Sequence, residues 1–133
     1  MEITIINKTK TKINKNSLLK LVKKLSRELK FKDGLSFLFC GDTFCKKINK
    51  KFLGRDGTTD VISFPINENG YLGDVLINLK QIKRQAKRLK ISYNEELKRI
   101  VIHGILHLLG YDHEKDNGEM EKLQEKLLSK YKI

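Results

Sequence analysis

Between Ile100 and Leu109 every position is Ile, Val or Leu except His103, Gly104 and His107. A helix that is apolar nearly all round has to be buried, so this stretch predicts a central helix against which the remaining elements pack. Its start is marked upstream. Ser92 with Glu95 three residues later reads as a capping box, and Glu95 and Glu96 suit the positive end of the helix dipole. Its end is marked by Gly110, the residue that most easily takes the left-handed conformation closing a helix.

All three histidines of the chain fall between positions 103 and 113. His103 and His107 are four apart and share one helix face, one turn above each other. A chain reversed at Gly110 can swing His113 back toward them. Three imidazoles converging from a helix and the turn after it make the open tripod of a catalytic zinc site, with a fourth position left to water. The plainer alternative is core histidines satisfied by backbone carbonyls. It suits a lone histidine better than a triplet punctuated by glycine. We expect one zinc ion per chain, or nickel or another divalent metal in its place, because three imidazoles suit several borderline ions.

The pattern His-x-x-x-His-x-x-Gly-x-x-His resembles the zinc signature of the metzincin proteases, with one departure. The residue after the first histidine, a general-base Glu in those enzymes, is Gly104 here. The longer string His-Gly-Ile-Leu-His-Leu-Leu-Gly-Tyr-Asp-His looks like the YbeY family of metal-dependent endoribonucleases, the bacterial ribosomal RNA maturation factors. Thr59-Asp60-Val61-Ile62-Ser63-Phe64-Pro65 matches that family's Thr-Asp-Val-Leu-Ser-Phe-Pro block, and Leu72-Gly73-Asp74-Val75 its Leu-Gly-Asp-Ile block. Ile48-Asn49-Lys50-Lys51-Phe52 resembles its Leu-Asn-x-x-Tyr segment, and Met120, Gln124 and Glu125 fit its closing helix.

The resemblance implies metal binding by His103, His107 and His113. It also implies single-strand-specific endoribonuclease activity in ribosomal RNA maturation and ribosome quality control. Ribosomal RNA and the small ribosomal subunit are the implied partners. Many relatives carry an arginine directly after the aromatic of the Asn-x-x-Tyr segment, where it serves RNA cleavage. Leu53 stands there in this chain, with Arg55 two residues later. Either Arg55 takes that role from a shifted loop, or the role is weaker here.

Zinc on three neutral imidazoles stays dipositive and lowers the pKa of its water from about 15.7 toward 7. The expected reaction is therefore attack of that water on an RNA phosphodiester. A 2′-hydroxyl attack, with the metal only stabilising charge, is the alternative. No general base is legible. Asp112 could orient an imidazole or merely stabilise its own turn. Asp60 could cap a loop, and Asp74 could support a ligand or sit on a strand surface. Tyr111 and Phe52 could stack unpaired bases, although core packing is the commoner use of such residues. One rival is a metalloprotease, against which the missing Glu and the basic composition argue. The other is a non-catalytic, ribosome-associated RNA-binding assembly factor with a structural metal.

Charge points the same way. Twenty-eight Lys and Arg against sixteen acids give a net +12, which suits a polyanionic partner, although a chain rich in Lys, Ile and Asn can also reflect genome composition. Lys80, Arg84, Lys87 and Arg88 share much of one helix face, either a stripe that tracks RNA phosphates or a solvated surface. No run approaches the roughly 18 apolar residues of a membrane span, and the first residues lack the pattern of a signal peptide. A cytoplasmic protein is the expectation. Cys40 and Cys45 cannot close a four-cysteine zinc site, and they read as reduced structural thiols.

Taken in order, residues 2 to 7 read as a strand and Asn16 to Phe31 as an amphipathic helix. Leu35 to Cys40 is a buried strand. A shorter helix follows to about Leu53, capped by Asp42 or Thr43, and then a loop over 54 to 59. Asp60 to Phe64 reads as a strand stopped by Pro65, the only proline. Asn69-Gly70 signals a hairpin to a fourth strand, Tyr71 to Asn78. A basic helix (Leu79 to Leu89), the histidine helix and a last helix capped by Asp116 and Glu119 complete the chain, the last turning Met120, Leu123, Leu127 and Tyr131 inward. With 133 residues and neither repeats nor linkers, residues 1–133 read as one metal-dependent hydrolase domain. The fold class is α+β, a small mixed sheet of about four strands with about five helices and a zincin-like metal helix.

Overall fold

Strand and helix signals alternate along the chain, and the elements they produce follow that alternation. A computed structural model describes residues 1–112 and 116–131. Among them the order is β1 (Ile3–Asn7), α1 (Lys15–Leu29), β2 (Gly34–Cys40), α2 (Asp42–Leu53), β3 (Val61–Glu68), β4 (Tyr71–Asn78), α3 (Leu79–Leu89), α4 (Tyr93–Leu108) and α5 (Glu119–Lys130). The four strands form one sheet in the order β1-β2-β4-β3. The first three in that order run parallel, and β3 closes the sheet antiparallel to β4 through the Asn69-Gly70 turn. The architecture is the α+β one expected. None of the described helices is long and apolar enough to cross a membrane.

Alternation along the strands separates two faces. Leu35, Phe37 and Phe39 of β2 and Val75 and Ile77 of β4 enter the main core with α1, α3, α4 and α5. Leu38 and Cys40 of β2, Leu76 of β4 and Ile62 and Phe64 of β3 point to the other face, where, among the described residues, only α2 packs, through Phe44, Cys45 and Ile48. Both cysteines are free thiols inside that small cluster. Burial, then the nearby Cys45 and Asp42, pushes the Cys40 thiol up to about 12 and keeps it protonated.

The central helix begins and ends where its local chemistry dictates. Ser92 Oγ accepts from Glu95 N at 3.0 Å. At the other end Gly110 takes φ 98°, its N–H bonding His107 O, while the Tyr111 N–H reaches Leu106 O. That pair of bonds is a Schellman closure, which needs a left-handed residue at Gly110. Gly104 meets a different requirement. A Cβ built on it would lie 2.6 Å from Val75 Cγ1, so α4 sits on β4 at glycine distance.

Three local expectations are corrected. Strand β3 does not stop at Pro65 but continues to Glu68, because it is an edge strand and the missing N–H costs no ladder bond. Helix α2 is capped by Gly41 without a side-chain bond, since Asp42 is already helical and turns its carboxylate to Arg84 and Asn78. Helix α5 has Gly118 at its cap position, yet Asp116 still serves it, accepting from Met120 N at 3.0 Å. A cap unsigned by the sequence reading is Asn78, which accepts from Lys80 N and Gln81 N at the start of α3.

Candidate active site

Helix α4 carries His103 and His107 on one half-buried face, with ring centroids 4.8 Å apart and planes at 69°. The orientation of one ring is fixed from the neighbouring helix. Nδ1 of His103 lies 2.7 Å from Gln124 Oε1 of α5. A carboxamide oxygen only accepts, so Nδ1 carries the proton and Nε2 the basic electron pair, the one a metal takes. Gln124 is only 9% exposed, held by the packing of α5 through Met120 and Leu127. Two imidazoles one helical turn apart, one of them steered by an amide, are a donor set that fits a borderline divalent cation. Among the described residues no third His, Cys, Asp or Glu completes that group. The third expected ligand, His113, lies outside them.

Both rings open onto a polar cleft of about 710 Å³. Its opposite wall is the C-terminal end of α2 and the loop after it, which bring in Leu53, Arg55 and Asp60. Asp112 and β3's Ser63 complete the lining. Arg55 is exposed and lines the same cleft as the two histidines, as does Leu53, the departure from the family pattern. Ser63 Oγ donates to Gly104 O at 3.2 Å and ties β3 to α4. The contact between Gly104 and Val75 also explains why no glutamate stands after the first histidine. A side chain there would run into the sheet, not into the cleft.

Asp60 behaves as the loop cap considered above. Its Oδ1 accepts from Val61 N at 2.8 Å and from Thr59 Oγ1 at 3.3 Å. Its Oδ2 accepts from Gln85 Nε2 at 3.3 Å, and the same amide donates to Glu96 Oε2 at 2.7 Å. Glu96 is 1% exposed and also takes Arg99 Nε at 2.9 Å. Sequence reasoning missed this chain of contacts, like Gln124. An amide on a basic surface helix carries no local sign of a buried partner on another helix.

Other candidates sit elsewhere. Asp74 lies on the sheet face away from α4, where it accepts from the Tyr71 hydroxyl, itself 2.5 Å from Ser36 Oγ. Burial, and then that carboxylate, raises the Tyr71 hydroxyl above its ordinary value. Tyr111 packs against the main core. Phe52 does not, because its side chain is 58% exposed, which corrects the core-packing reading. Lys80, Arg84, Lys87 and Arg88 are all exposed on α3, but none of them lines the cleft. Arg84 is engaged in a bidentate pair with Asp42, at 2.9 and 2.7 Å. This guanidinium, with Asn78 second, holds the Asp42 carboxyl well below the usual carboxylate range.

Comparison with known proteins shows what the whole chain is similar to. The family model described as Endoribonuclease YbeY matches residues 4–132. A Thermodesulfovibrio yellowstonii protein named Endoribonuclease YbeY is 44% identical over 106 residues, which are 74% of this chain and 67% of that protein. One of the same name from Nitratiruptor is 43% identical over 101 residues, 74% of this chain and 70% of the relative. One from Aquifex aeolicus is 46% identical over 95 residues, 68% of this chain and 63% of the relative. The solution structure of a Thermotoga maritima protein superposes with a TM-score of 0.68 at 30% identity, covering 96% of this chain and 87% of that one.

Proposed function

This chain belongs to the YbeY endoribonuclease family, and from that premise we propose that it is a metal-dependent endoribonuclease that hydrolyses single-stranded ribosomal RNA in small-subunit maturation and quality control. The observation that carries the reading is the pair of imidazoles in a polar cleft, one of them steered by Gln124. His103, His107 and, by the sequence pattern, His113 would hold one zinc ion or a similar divalent cation. When bound, such a cation supplies Lewis acidity and brings the ionisation of water toward neutral pH.

The chain's own residues account for the rest. Gln124 holds the tautomer of His103, and the neighbouring α4–β4 contact holds its backbone. Hydrolysis of a phosphodiester adds water at phosphorus and expels one sugar oxygen, so negative charge must be met beside the phosphoryl oxygens. We assign that role to Arg55, a cation that lines the cleft. The lysines and arginines of α3 contribute a longer-range field that draws a polyanion in, with Arg84 discounted by its pairing to Asp42. The place we propose for this activity is the cytoplasm.

A second reading, an RNA-binding assembly factor with a structural metal, draws its support from Leu53, an apolar side chain in the cleft wall. Elemental analysis combined with cleavage of a labelled single-stranded ribosomal RNA fragment separates them. We expect about one metal per chain and cleavage that His107→Ala abolishes while the far-UV dichroism stays native. Metal without cleavage in the wild type would favour the assembly factor. A His107→Ala chain that unfolds would assign the metal a structural role.

A further inference from the structure

The sheet face on which α2 packs has an open groove of about 430 Å³ that the proposed reaction does not use. Phe44, Ile48 and Phe52, four residues apart on α2, make one wall, facing Phe64 of β3 and, across the sheet, Ile6 of β1. Its lining is almost wholly apolar, yet Phe52 is 58% and Ile6 46% exposed. Phe52 meets Phe64 edge-on with centroids 6.0 Å apart. Cations stand at the rim: Lys51 Nζ lies 5.5 Å from the centre of the Phe52 ring, and Lys8 Nζ lies 5.2 Å from that of Phe44. The groove and the cleft share no lining residue, but they meet in sequence at the end of α2, where Phe52 lines the groove and Leu53 and Arg55 line the cleft.

Resting on the endoribonuclease reading, we propose that this groove is a base-binding subsite, in which an unpaired nucleobase of the RNA strand stacks on Phe52. Charge decides which part of a nucleotide enters. The apolar walls cannot solvate a phosphate, and Asp74 on the floor repels one. A base has a π-face for Phe52 and amino groups that a carboxylate accepts. The flanking phosphates then lie outside, along Lys51 and onward to Arg55. A duplex cannot offer a base in this way, so the subsite supplies a physical reason for a single-strand preference.

The test measures binding of a labelled single strand of about eight nucleotides and of its duplex to the full chain. Wild type is compared with Phe52→Ala, Phe52→Tyr and Lys51→Gln. Phe52→Ala should weaken single-strand binding about five- to a hundredfold while leaving the salt slope and duplex binding unchanged. Phe52→Tyr should restore the affinity, and Lys51→Gln should lower the salt slope by about one. The exposed position predicts an unaltered melting temperature for each variant.

Unchanged single-strand affinity in Phe52→Ala, an equal loss on the duplex, or no single-strand binding by wild type would overturn the subsite. A dimer that Phe52→Ala dissolves would assign the groove to a second copy of the chain instead. Binding that depends on Phe52 without any cleavage would defeat the endonuclease reading but not the subsite. Cleavage intact with Phe52-independent binding would do the reverse.

Discussion

The two faces of the sheet are built from the same strands and yet solve different problems. Among the described residues the face under α4 is closed by four helices and a continuous apolar core, and two of its polar groups reach partners on other elements, His103 on Gln124 and Glu96 on Gln85. The face under α2 is covered by one short helix and a small cluster, leaving phenylalanine and isoleucine in solvent. Both alternate by the same period of two, so the difference arises from how many helices cover each side. Precision is concentrated where the coverage is deep, and adaptable surface remains where it is thin.

Deleting side chains on each face is the sharpest way to break that contrast. Leu106→Ala, inside the closed face, should cost about 2–5 kcal/mol in chemical denaturation, the range for a fully buried leucine. Gly104→Ala should cost about 1–3 kcal/mol by overpacking Val75, read in the same assay. Gln124→Ala should weaken zinc binding about 10- to 100-fold in a chelator competition, with Gln124→Glu recovering part of it, because only the hydrogen-bond acceptor is at stake. Ile6→Ser, on the open face, should stay within about 0.5 kcal/mol of wild type. Equal costs for Leu106→Ala and Ile6→Ser would mean that something covers the open face in solution.

Acid titration adds a smaller effect at the junction of the two regions. Arg84 depresses the Asp42 carboxyl in the folded chain below the ordinary 3.8, so this pair contributes stability at pH values above that figure. The contribution is lost as the pH falls through the folded value and the carboxylate protonates. Asp42→Asn should therefore be slightly less stable than wild type near neutrality. The gap should close in strong acid, as thermal melts across that range would record.

Local chemistry explains why so much was legible in advance. The span of α4, its Ser92 cap and its Gly110 closure depend on residues within one turn of each other, and the Asn69-Gly70 hairpin on two adjacent residues. What escaped the sequence depends on neighbours remote in the chain. Whether Pro65 interrupts a strand turns on which strand lies at the sheet edge. Whether Asp42 caps its helix turns on an arginine 42 positions away. Gln124 meets His103 across 21 residues and Gln85 meets Asp60 across 25. Phe52 belongs to an apolar helical stripe that sequence assigns to the interior, and the thin cover on that face leaves it outside.

The glycine of α4 has a consequence of its own. Position 104 follows a metal-ligand candidate directly, so the backbone that rests on Val75 is also the backbone that carries His103. The imidazole is thereby gauged from two sides, its carrier by contact with the sheet and its ring by the amide of α5. Tolerances in such an arrangement do not accumulate along the chain as they would for a ligand on a loop. The helix works as a spacer block clamped between two reference surfaces, and its thickness sets where the imidazole stands.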